Sequence, residues 1–236
     1  MNSYVSLDLE TTGLSPKLDK IIEIGAVKVK EGEVVDNFSE FLCPGRKLEE
    51  KTIELTGITE ADLCNAPEAA EVIPRLIEFC EDLPLVGHRI MFDFSFVKHA
   101  AVNLGLTFEK DGVDTLKISR ACHPELESKK LTAMCEHYGI PLQAHRAYND
   151  ALATSQLFQC LKKNFETKYP ESFEPKKLIY QIKRESPIRP FQIEKIKRLI
   201  EQYRVDCPYE LEKMTRNEAS RYIDKLIAQY GKNGWG

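Results

Sequence analysis

Residues 4 to 10 alternate between apolar and polar side chains, and this period of two predicts a β-strand. One face of that strand carries Val5, Leu7 and Leu9, and the other carries Ser6, Asp8 and Glu10. Two carboxylates that are two residues apart on a strand point to the same side and lie close together. Their apolar neighbours indicate a central strand, where adjacent carboxylates are costly unless a cation compensates them. On this motif alone, an exposed strand face remains the alternative.

The sequence around this strand predicts an α/β fold. Apolar runs at residues 21 to 29 and 34 to 42 flank a short segment that contains Gly32, which predicts a hairpin and hence three antiparallel strands. Helical periodicity begins near residue 69, and a short apolar strand follows at residues 83 to 86. The remaining predicted elements are a helix near Phe92, a brief strand at 113 and 114, and helices near 115 to 121, 129 to 138 and 147 to 165. We therefore expect a mixed sheet flanked by helices.

Residues 169 to 190 contain four prolines and many charges, so this stretch cannot form one continuous helix. It is the predicted linker between a domain at residues 1–168 and a small helical module at residues 191–236. Two apolar stripes of helical spacing lie in that module, and Thr215 with Glu218 predicts a capping box at the start of the second helix. The tail from residue 231 to residue 236 is expected to fray.

The overall charge of −4 gives no support to nonspecific coating of nucleic acid, because such binding requires a basic footprint. The charge is uneven: residues 1–170 carry 19 Lys and Arg against 27 Asp and Glu, whereas residues 171–236 carry 14 against 10. Acidic residues are needed where divalent cations bind, and the bound ions reverse the field that a phosphate meets. A nuclease is therefore compatible with the acidic part. The basic part suits substrate capture, a docking element for a protein partner, or a solvated pair of helices.

The seven cysteines include no C-x-x-C pair, and their odd number argues against a complete disulfide framework. We expect reduced thiols, which are typical of the cytoplasm. No stretch approaches the roughly 18 consecutive apolar residues of a membrane-spanning helix, and the first residues lack the pattern of an export signal. The sequence therefore predicts a soluble, cytoplasmic protein with no membrane partner.

Asp93 follows a predicted buried strand and the Gly-His pair at residues 87 and 88, a strand end where α/β folds place functional groups. Taken alone, it fits equally well an acid at a helix N-terminus, which the helix dipole favours. Most of the nearby phenylalanines are expected in the core. Phe92, next to Asp93, is the candidate for stacking on a nucleobase.

His145 and Asp150 are five residues apart, which would separate them by roughly 140° on an ideal helix, at about 100° per residue. They fit together only if Asp150 faces the sheet from a helix and His145 lies on the preceding loop. A loop histidine can approach a water molecule, and imidazole is well suited to proton abstraction near neutrality. An unremarkable histidine before a helix is the alternative.

In their order along the chain, these motifs resemble the DEDDh branch of the DnaQ-like 3′-to-5′ exonucleases, which includes proofreading subunits of bacterial DNA polymerase III. The first motif matches residues 8 to 14, the second matches residues 87 and 88 with residues 92 and 93, and the third matches residues 145 to 154. The similarity extends over about residues 3 to 165. The C-terminal module resembles only weakly the helical pieces attached to various nucleic-acid enzymes.

The resemblance implies an RNase H-like sheet and a metal-dependent enzyme. By that resemblance Asp8, Glu10, Asp93 and Asp150 hold two divalent metal ions, Mg²⁺ or Mn²⁺, and His145 is the general base. The enzyme would act on 3′ ends of single-stranded DNA or RNA, with DNA favoured, and release nucleoside 5′-monophosphates. The implied substrate-binding residues are Thr11, Thr12, Gly13, Leu14, His88, Arg89 and Phe92.

Arg89 departs from the family pattern, which often has Asn at this position. We expect altered contacts at the 3′ end, with a phosphate as the candidate, and a side chain that points into solvent is the alternative. Three other interpretations of the whole chain stay open. They are a proofreading subunit bound to a DNA polymerase or other replication or repair protein, an exoribonuclease that trims RNA ends, and an inactive scaffold that binds nucleic acid.

Overall fold

The computed structural model describes residues 1–231. The strands are β1 (Tyr4–Thr11), β2 (Ile21–Lys30), β3 (Glu33–Phe41), β4 (Leu85–Gly87), β5 (Asp111–Asp114) and β6 (Lys176–Lys177). They form one sheet in the order β3-β2-β1-β4-β5-β6. β1, β2 and β3 pair antiparallel, whereas β4 runs parallel to β1 and to β5. The predicted hairpin and the predicted mixed sheet are confirmed.

Nine α-helices lie within the described residues. They are α1 (Glu50–Thr56), α2 (Glu60–Leu63), α3 (Ala69–Cys80), α4 (Met91–Asn103), α5 (Thr115–Cys122), α6 (Leu131–Tyr138), α7 (Ala147–Phe165), α8 (Pro190–Tyr203) and α9 (Arg216–Tyr230). The helical spacing of apolar residues predicts α3 to α9 but not α1 and α2. These two helices have seven and four residues, which is too short to show a helical period.

Helices cover both faces of the sheet. The apolar face of β1 lies in a buried core with side chains of α3 and α4. On the other face, Tyr4 lies in a second core with side chains of α5, α6 and α7. On that same face, the Ser6 hydroxyl donates to the Ala151 carbonyl of α7 at 2.7 Å. Since α7 packs over the polar face of β1, it comes close to the two carboxylates at the end of that strand.

The chain divides into two compact units. Unit 1 comprises residues 1–44 and 48–182, and unit 2 comprises residues 45–47 together with the chain from Lys183 onward. In unit 2, side chains of α8 and α9 form a separate apolar core. The capping box predicted at the start of α9 is confirmed, because the hydroxyl of Thr215 accepts the Glu218 N–H.

The segment predicted as a linker, residues 169 to 190, lies partly in each unit. Within it, β6 pairs antiparallel with β5, and Phe173 and Leu178 are buried in the cores on the two faces of the sheet. The domain limits at residues 1–168 and 191–236 stay predictions. The tail that is expected to fray lies, from residue 232 onward, outside the described residues. No helix in residues 1–231 is both long and apolar enough to cross a bilayer.

Candidate active site

Gly25 of β2 lies opposite Asp8 in the pairing of β1 with β2. A Cβ atom on Gly25 would lie 2.0 Å from the backbone carbonyl carbon of Ala147 and 2.1 Å from the backbone nitrogen of Tyr148. The missing side chain therefore lets α7 begin directly against β2, and Asp150 in its first turn reaches Asp8. Gly25 is absent from the sequence-based predictions, although a glycine inside an apolar strand is a signal of such close approach.

Three carboxylates meet at this point. Asp8, Glu10 and Asp150 each offer an oxygen, and these oxygens lie within 4.8 Å of one another. Asp93, at the start of α4, lines the same cavity as this group and is 3% exposed. Its carboxylate is not one of the three that share the 4.8 Å limit. Hard divalent cations prefer oxygen ligands, so this set of donors fits Mg²⁺ or Mn²⁺.

The electrostatics of the group also favour a cation. Burial, followed by the charges of Asp93 and Asp150, raises the pKa of Asp8 well above its ordinary value. Burial, with the charges of Asp150 and Glu23, raises the pKa of Glu10 to about 7. Burial also raises the pKa values of Asp93 and Asp150. A divalent cation would relieve this desolvation and mutual repulsion, and it would hold the carboxylates ionised.

His145 lies on the loop before α7 and is exposed. Its φ of 68° is in the left-handed region, and its backbone N–H donates to Oδ2 of Asp150 at 2.9 Å. The residue lines the same cavity as Asp8, Glu10 and Asp93. The structure thus brings together all five residues that the family resemblance names as catalytic.

The cavity above the acidic group has a volume of about 570 Å³. Leu14 and Leu55 line it and are 81% and 59% exposed, and Leu131 adds a third apolar side chain. Lys130 contributes a cation to the same wall. Leu55, Lys130 and Leu131 are absent from the sequence-based predictions. For Leu55 the reason is that α1 itself was not predicted.

The chain leaves β1 in a tight turn that begins at Thr11. The Thr11 hydroxyl donates to the Gly13 carbonyl at 2.6 Å, and the Thr12 hydroxyl accepts the backbone N–H of the residue before β2 at 3.0 Å. A Cβ atom on Gly13 would lie 2.5 Å from the carboxylate of Asp19. These contacts fix the turn. Of its four predicted substrate-binding residues, only Leu14 lines the cavity.

Both ring nitrogens of His88 contact protein groups. Nδ1 lies 2.9 Å from the hydroxyl of Thr115, and Nε2 lies 2.7 Å from the backbone carbonyl of Lys129. Burial lowers the pKa of His88 and so favours the neutral ring, in which Nε2 donates to that carbonyl. His88 therefore ties the end of β4 to the loop that carries Lys130.

Arg89 has a φ of 84°, a backbone conformation that is uncommon for a residue other than glycine. Its backbone N–H donates to Oδ1 of Asp114 at 3.1 Å, and the same carboxylate caps α5. The Arg89 guanidinium lies 5.8 Å from the centroid of the Phe92 ring, and both residues line the cavity. By contrast, Phe94 and Phe96 are buried in the core, as the sequence predicts.

Comparison with known proteins identifies the family of this chain. The sequence model of the RNase_T family, described as an exonuclease, matches residues 5–158. DNA polymerase III PolC-type of Clostridium perfringens is 42% identical over 159 residues, which are 67% of this chain and 11% of that protein. This chain therefore spans only a small part of the length of that relative.

Two solved structures have a similar fold. Exonuclease X in complex with 5′ overhanging duplex DNA has a TM-score of 0.56 at 24% identity, over 69% of this chain and 92% of that one. The zinc ion bound form of an E. coli exonuclease I complex with single-stranded DNA has a TM-score of 0.63 at 21% identity, over 73% and 42% of the two chains.

The mixed sheet, flanked by helices and ending in buried carboxylates, defines an RNase H-like nuclease fold. The chain belongs to the RNase_T exonuclease family, whose model covers most of it. The predicted fold class and the predicted family resemblance are confirmed.

Proposed function

We propose that this chain is a metal-dependent 3′-to-5′ exonuclease that acts on single-stranded DNA and releases nucleoside 5′-monophosphates. One observation carries the proposal: Asp8, Glu10, Asp93, Asp150 and His145 converge on a single cavity, although they come from three elements and a loop. Membership of an exonuclease family supports it.

The four carboxylates would hold two divalent cations, Mg²⁺ or Mn²⁺. Asp8, Glu10 and Asp150 supply three oxygen donors within 4.8 Å of one another, and Asp93 supplies a further carboxylate beside Asp8. When bound, two such cations would make an attacking water more acidic and offset negative charge on the departing oxygen. The zinc-bound form of the exonuclease I complex supports a metal site in this fold.

His145 would accept a proton from the water that attacks the last phosphodiester. The bond from phosphorus to the 3′ oxygen of the preceding nucleotide would break, that oxygen would take a proton from solvent, and the phosphate would leave on the 5′ oxygen of the released nucleotide. The hydrogen bond from the His145 backbone to Asp150 holds the loop beside the acidic group. Because the residue is exposed, its ring can pass the proton on to solvent.

The walls of the cavity would hold the terminal nucleotide. Leu14 and Leu55 offer apolar surface for the base, and the turn from Thr11 to Gly13, which does not itself line the cavity, would hold Leu14 in place. Arg89, whose guanidinium lies 5.8 Å from the centroid of the Phe92 ring, would contact a phosphate further along the strand. Lys130 would add positive charge on the same wall, where the loop is fixed through His88.

The direction of cleavage and the general base can be tested together. Single-stranded DNA labelled at its 5′ end should shorten from the 3′ end by one nucleotide at a time in Mg²⁺. His145→Ala should lower kcat roughly 10²- to 10⁴-fold, the usual effect of removing a general base. His137→Ala, at an exposed histidine of α6 that does not line the cavity, is the matched control. Internal cuts, or equal rates for the two variants, would contradict the proposal.

DNA is the proposed substrate, and a DNA polymerase is the proposed partner. The proposed location of the protein is the cytoplasm. The relative from C. perfringens is named as a DNA polymerase III, which favours a proofreading role. The seven free thiols of the described chain suit a reducing compartment. Matched DNA and RNA oligomers with paired and mispaired 3′ ends test these points. If RNA nucleotides are removed faster than DNA nucleotides, the result would contradict the proofreading role and support RNA trimming.

A further inference from the structure

Glu23 is a charged residue in the middle of the apolar strand β2, and its side chain is 2% exposed. It pairs across the sheet with Glu10 on one side and with Phe41 on the other. A buried carboxylate is costly unless it is paired and hydrogen-bonded. The groups that bind Glu23 therefore indicate why the strand retains it.

Both donors to Glu23 come from the start of α7. Oε2 accepts the backbone N–H of Ala147 at 3.2 Å, and Oε1 forms an ion pair with the guanidinium Nη2 of Arg146 at 3.1 Å. The Arg146 guanidinium also lies 4.9 Å from the centroid of the Phe41 ring. Glu23 does not line the cavity that Asp8, Glu10, Asp93 and Asp150 share, so it is not among the proposed metal ligands.

These contacts surround the peptide that carries the general base of the proposed function. Arg146 directly follows His145, and Ala147 directly follows Arg146. On the other side, the His145 N–H donates to Asp150. The loop is thus fixed to β2 after His145 and to α7 through His145 itself. Its left-handed φ of 68° needs such support, because an unsupported residue with a side chain rarely adopts it.

We propose that Glu23 and Arg146 form a clamp that positions His145 and Asp150 for the reaction, without contacting substrate or metal. This inference rests on the proposed function. Gly25 has no side chain to keep α7 away from β2, and the clamp then fixes the position at which α7 begins. Loss of the clamp would release the loop at the residue next to the base.

The chain contains a matched pair for comparison. Glu40 of β3 and Arg75 of α3 form an ion pair at 2.7 Å, and the Arg75 guanidinium lies 5.9 Å from the centroid of the Phe38 ring. The same three residue types thus meet on the same sheet. The Glu40 and Arg75 side chains are 30% and 49% exposed, and neither residue lines the cavity.

The test compares Glu23→Ala, Glu23→Gln, Arg146→Ala and the control Glu40→Ala in the full chain. Three quantities are measured: kcat and KM on single-stranded DNA, the affinity for Mn²⁺ by calorimetry, and the fraction folded. Glu23→Ala and Arg146→Ala should lower kcat roughly 10- to 100-fold, the usual effect of removing a group that orients a metal ligand. KM should change less than about threefold, and Mn²⁺ should bind more weakly.

Glu23→Gln distinguishes a positioning residue from a metal ligand. Its amide oxygen can still accept the Ala147 N–H, so we expect it to recover most of the lost kcat and Mn²⁺ affinity. A metal ligand would not be rescued by the neutral amide, and that result would overturn the clamp. If Glu23→Ala fails to fold, Glu23→Gln and Arg146→Ala decide, because the Arg146 side chain is 41% exposed.

The double variant Glu23→Ala with Arg146→Ala should be no worse than either single variant, because the two residues act as one unit. Additive losses, or losses equal to that of Glu40→Ala per folded molecule, would overturn the proposal. The Mn²⁺ titration distinguishes a failure of the clamp from a failure of the proposed exonuclease function. If wild type degrades neither DNA nor RNA, the proposed function fails, while weaker Mn²⁺ binding in Glu23→Ala would still support the clamp.

Discussion

Units 1 and 2 differ in what their interiors contain. Unit 1 encloses Asp93 and Asp150, which are 3% and 7% exposed and whose pKa values are raised by burial. The described interior of unit 2 is apolar apart from Gln192, which is 2% exposed. The Gln192 amide donates to the Arg216 carbonyl and the Ser220 hydroxyl, and it accepts the Arg189 N–H.

The difference shows that unit 1 buries charged groups at a cost in stability, and that these groups form the candidate active site. In unit 2 the buried polar group is fully hydrogen-bonded, so its interior is arranged for stability. In unit 1 the buried carboxylates repel one another when ionised, and a bound cation would relieve that repulsion. We therefore expect changes in unit 1 to affect activity first and changes in unit 2 to affect stability alone.

The largest expected effect is that of Gly25→Ala in unit 1. The new Cβ atom would meet the backbone of α7 at 2.0 Å, so α7 must move and carry Asp150 with it. We expect kcat to fall at least roughly 100-fold and the free energy of unfolding to fall by about 3 kcal/mol. Gly32→Ala is the control. A Cβ atom there would have no atom within 4 Å, so only the φ of 88° disfavours alanine. If Gly25→Ala and Gly32→Ala have equal kcat values, the close approach of α7 to β2 does not determine the geometry of the active site.

In unit 2, Ile223→Ala should separate stability from activity. Ile223 is 5% exposed within the unit 2 core, and its truncation should lower the free energy of unfolding by about 2 to 5 kcal/mol. Denaturant unfolding measures the change, and kcat at 25 °C should stay within about twofold of wild type. A loss of kcat as large as that of Gly25→Ala would remove the distinction between the units.

The pH dependence of stability sharpens the comparison for the metal-free protein. The pKa of Glu10 is about 7 in the folded state and 4.5 in its ordinary state. Between these values the folded protein binds a proton that the unfolded chain releases. The free energy of unfolding should therefore fall as pH rises from 4.5 to 7, by on the order of 1 to 3 kcal/mol.

Chemical denaturation in EDTA measures this trend. Glu10→Gln should make the trend shallower, and the raised pKa values of Asp8, Asp93 and Asp150 should leave a residual slope. Mg²⁺ at pH 7.5 should restore the stability, because the cation replaces the lost protons. Stability that rises across the same window in EDTA would mean that the carboxylates are not under mutual repulsion.

The smallest expected effect is that of Arg89→Ala. If Arg89 contacts a phosphate, KM should rise several-fold and the slope of log affinity against log salt should fall by about one. The effect should vanish on DNA in which a neutral methylphosphonate replaces the contacted phosphate. Arg75→Ala, at a guanidinium outside the cavity, provides the baseline. An unchanged KM would place the Arg89 side chain in solvent.

Much of this arrangement follows from local sequence. The alternation around Asp8 predicts β1, and apolar spacing predicts the longer helices, because burial on one face leaves a period in the sequence. If His145 and Asp150 belong to one site, their spacing also requires His145 on a loop and Asp150 on a helix. The missed helix α1 buries two threonines, Thr52 and Thr56, and so lacks the apolar stripe that reveals a helix.

The contacts that bring the site together do not follow from local sequence. Glu23 and Ala147 are 124 positions apart, and nothing near either residue identifies the other. Glu23 and Gly25 stand out as exceptions in an apolar strand, which marks them as unusual without indicating their partner. The tie from His88 to Lys129 is of the same kind, since it joins loops that only the folded sheet brings together.

The central claim is that the buried carboxylates of unit 1 perform metal-dependent cleavage at 3′ ends. Single-turnover release of labelled nucleoside 5′-monophosphate, measured for wild type and Asp8→Asn over a range of Mg²⁺ concentrations, tests it most directly. Asn has nearly the same shape as Asp but lacks the charge that holds a cation. We predict release by wild type only with Mg²⁺, and release at least roughly 1,000-fold slower in Asp8→Asn. Equal rates for the two proteins, or undiminished release in EDTA, would contradict the account.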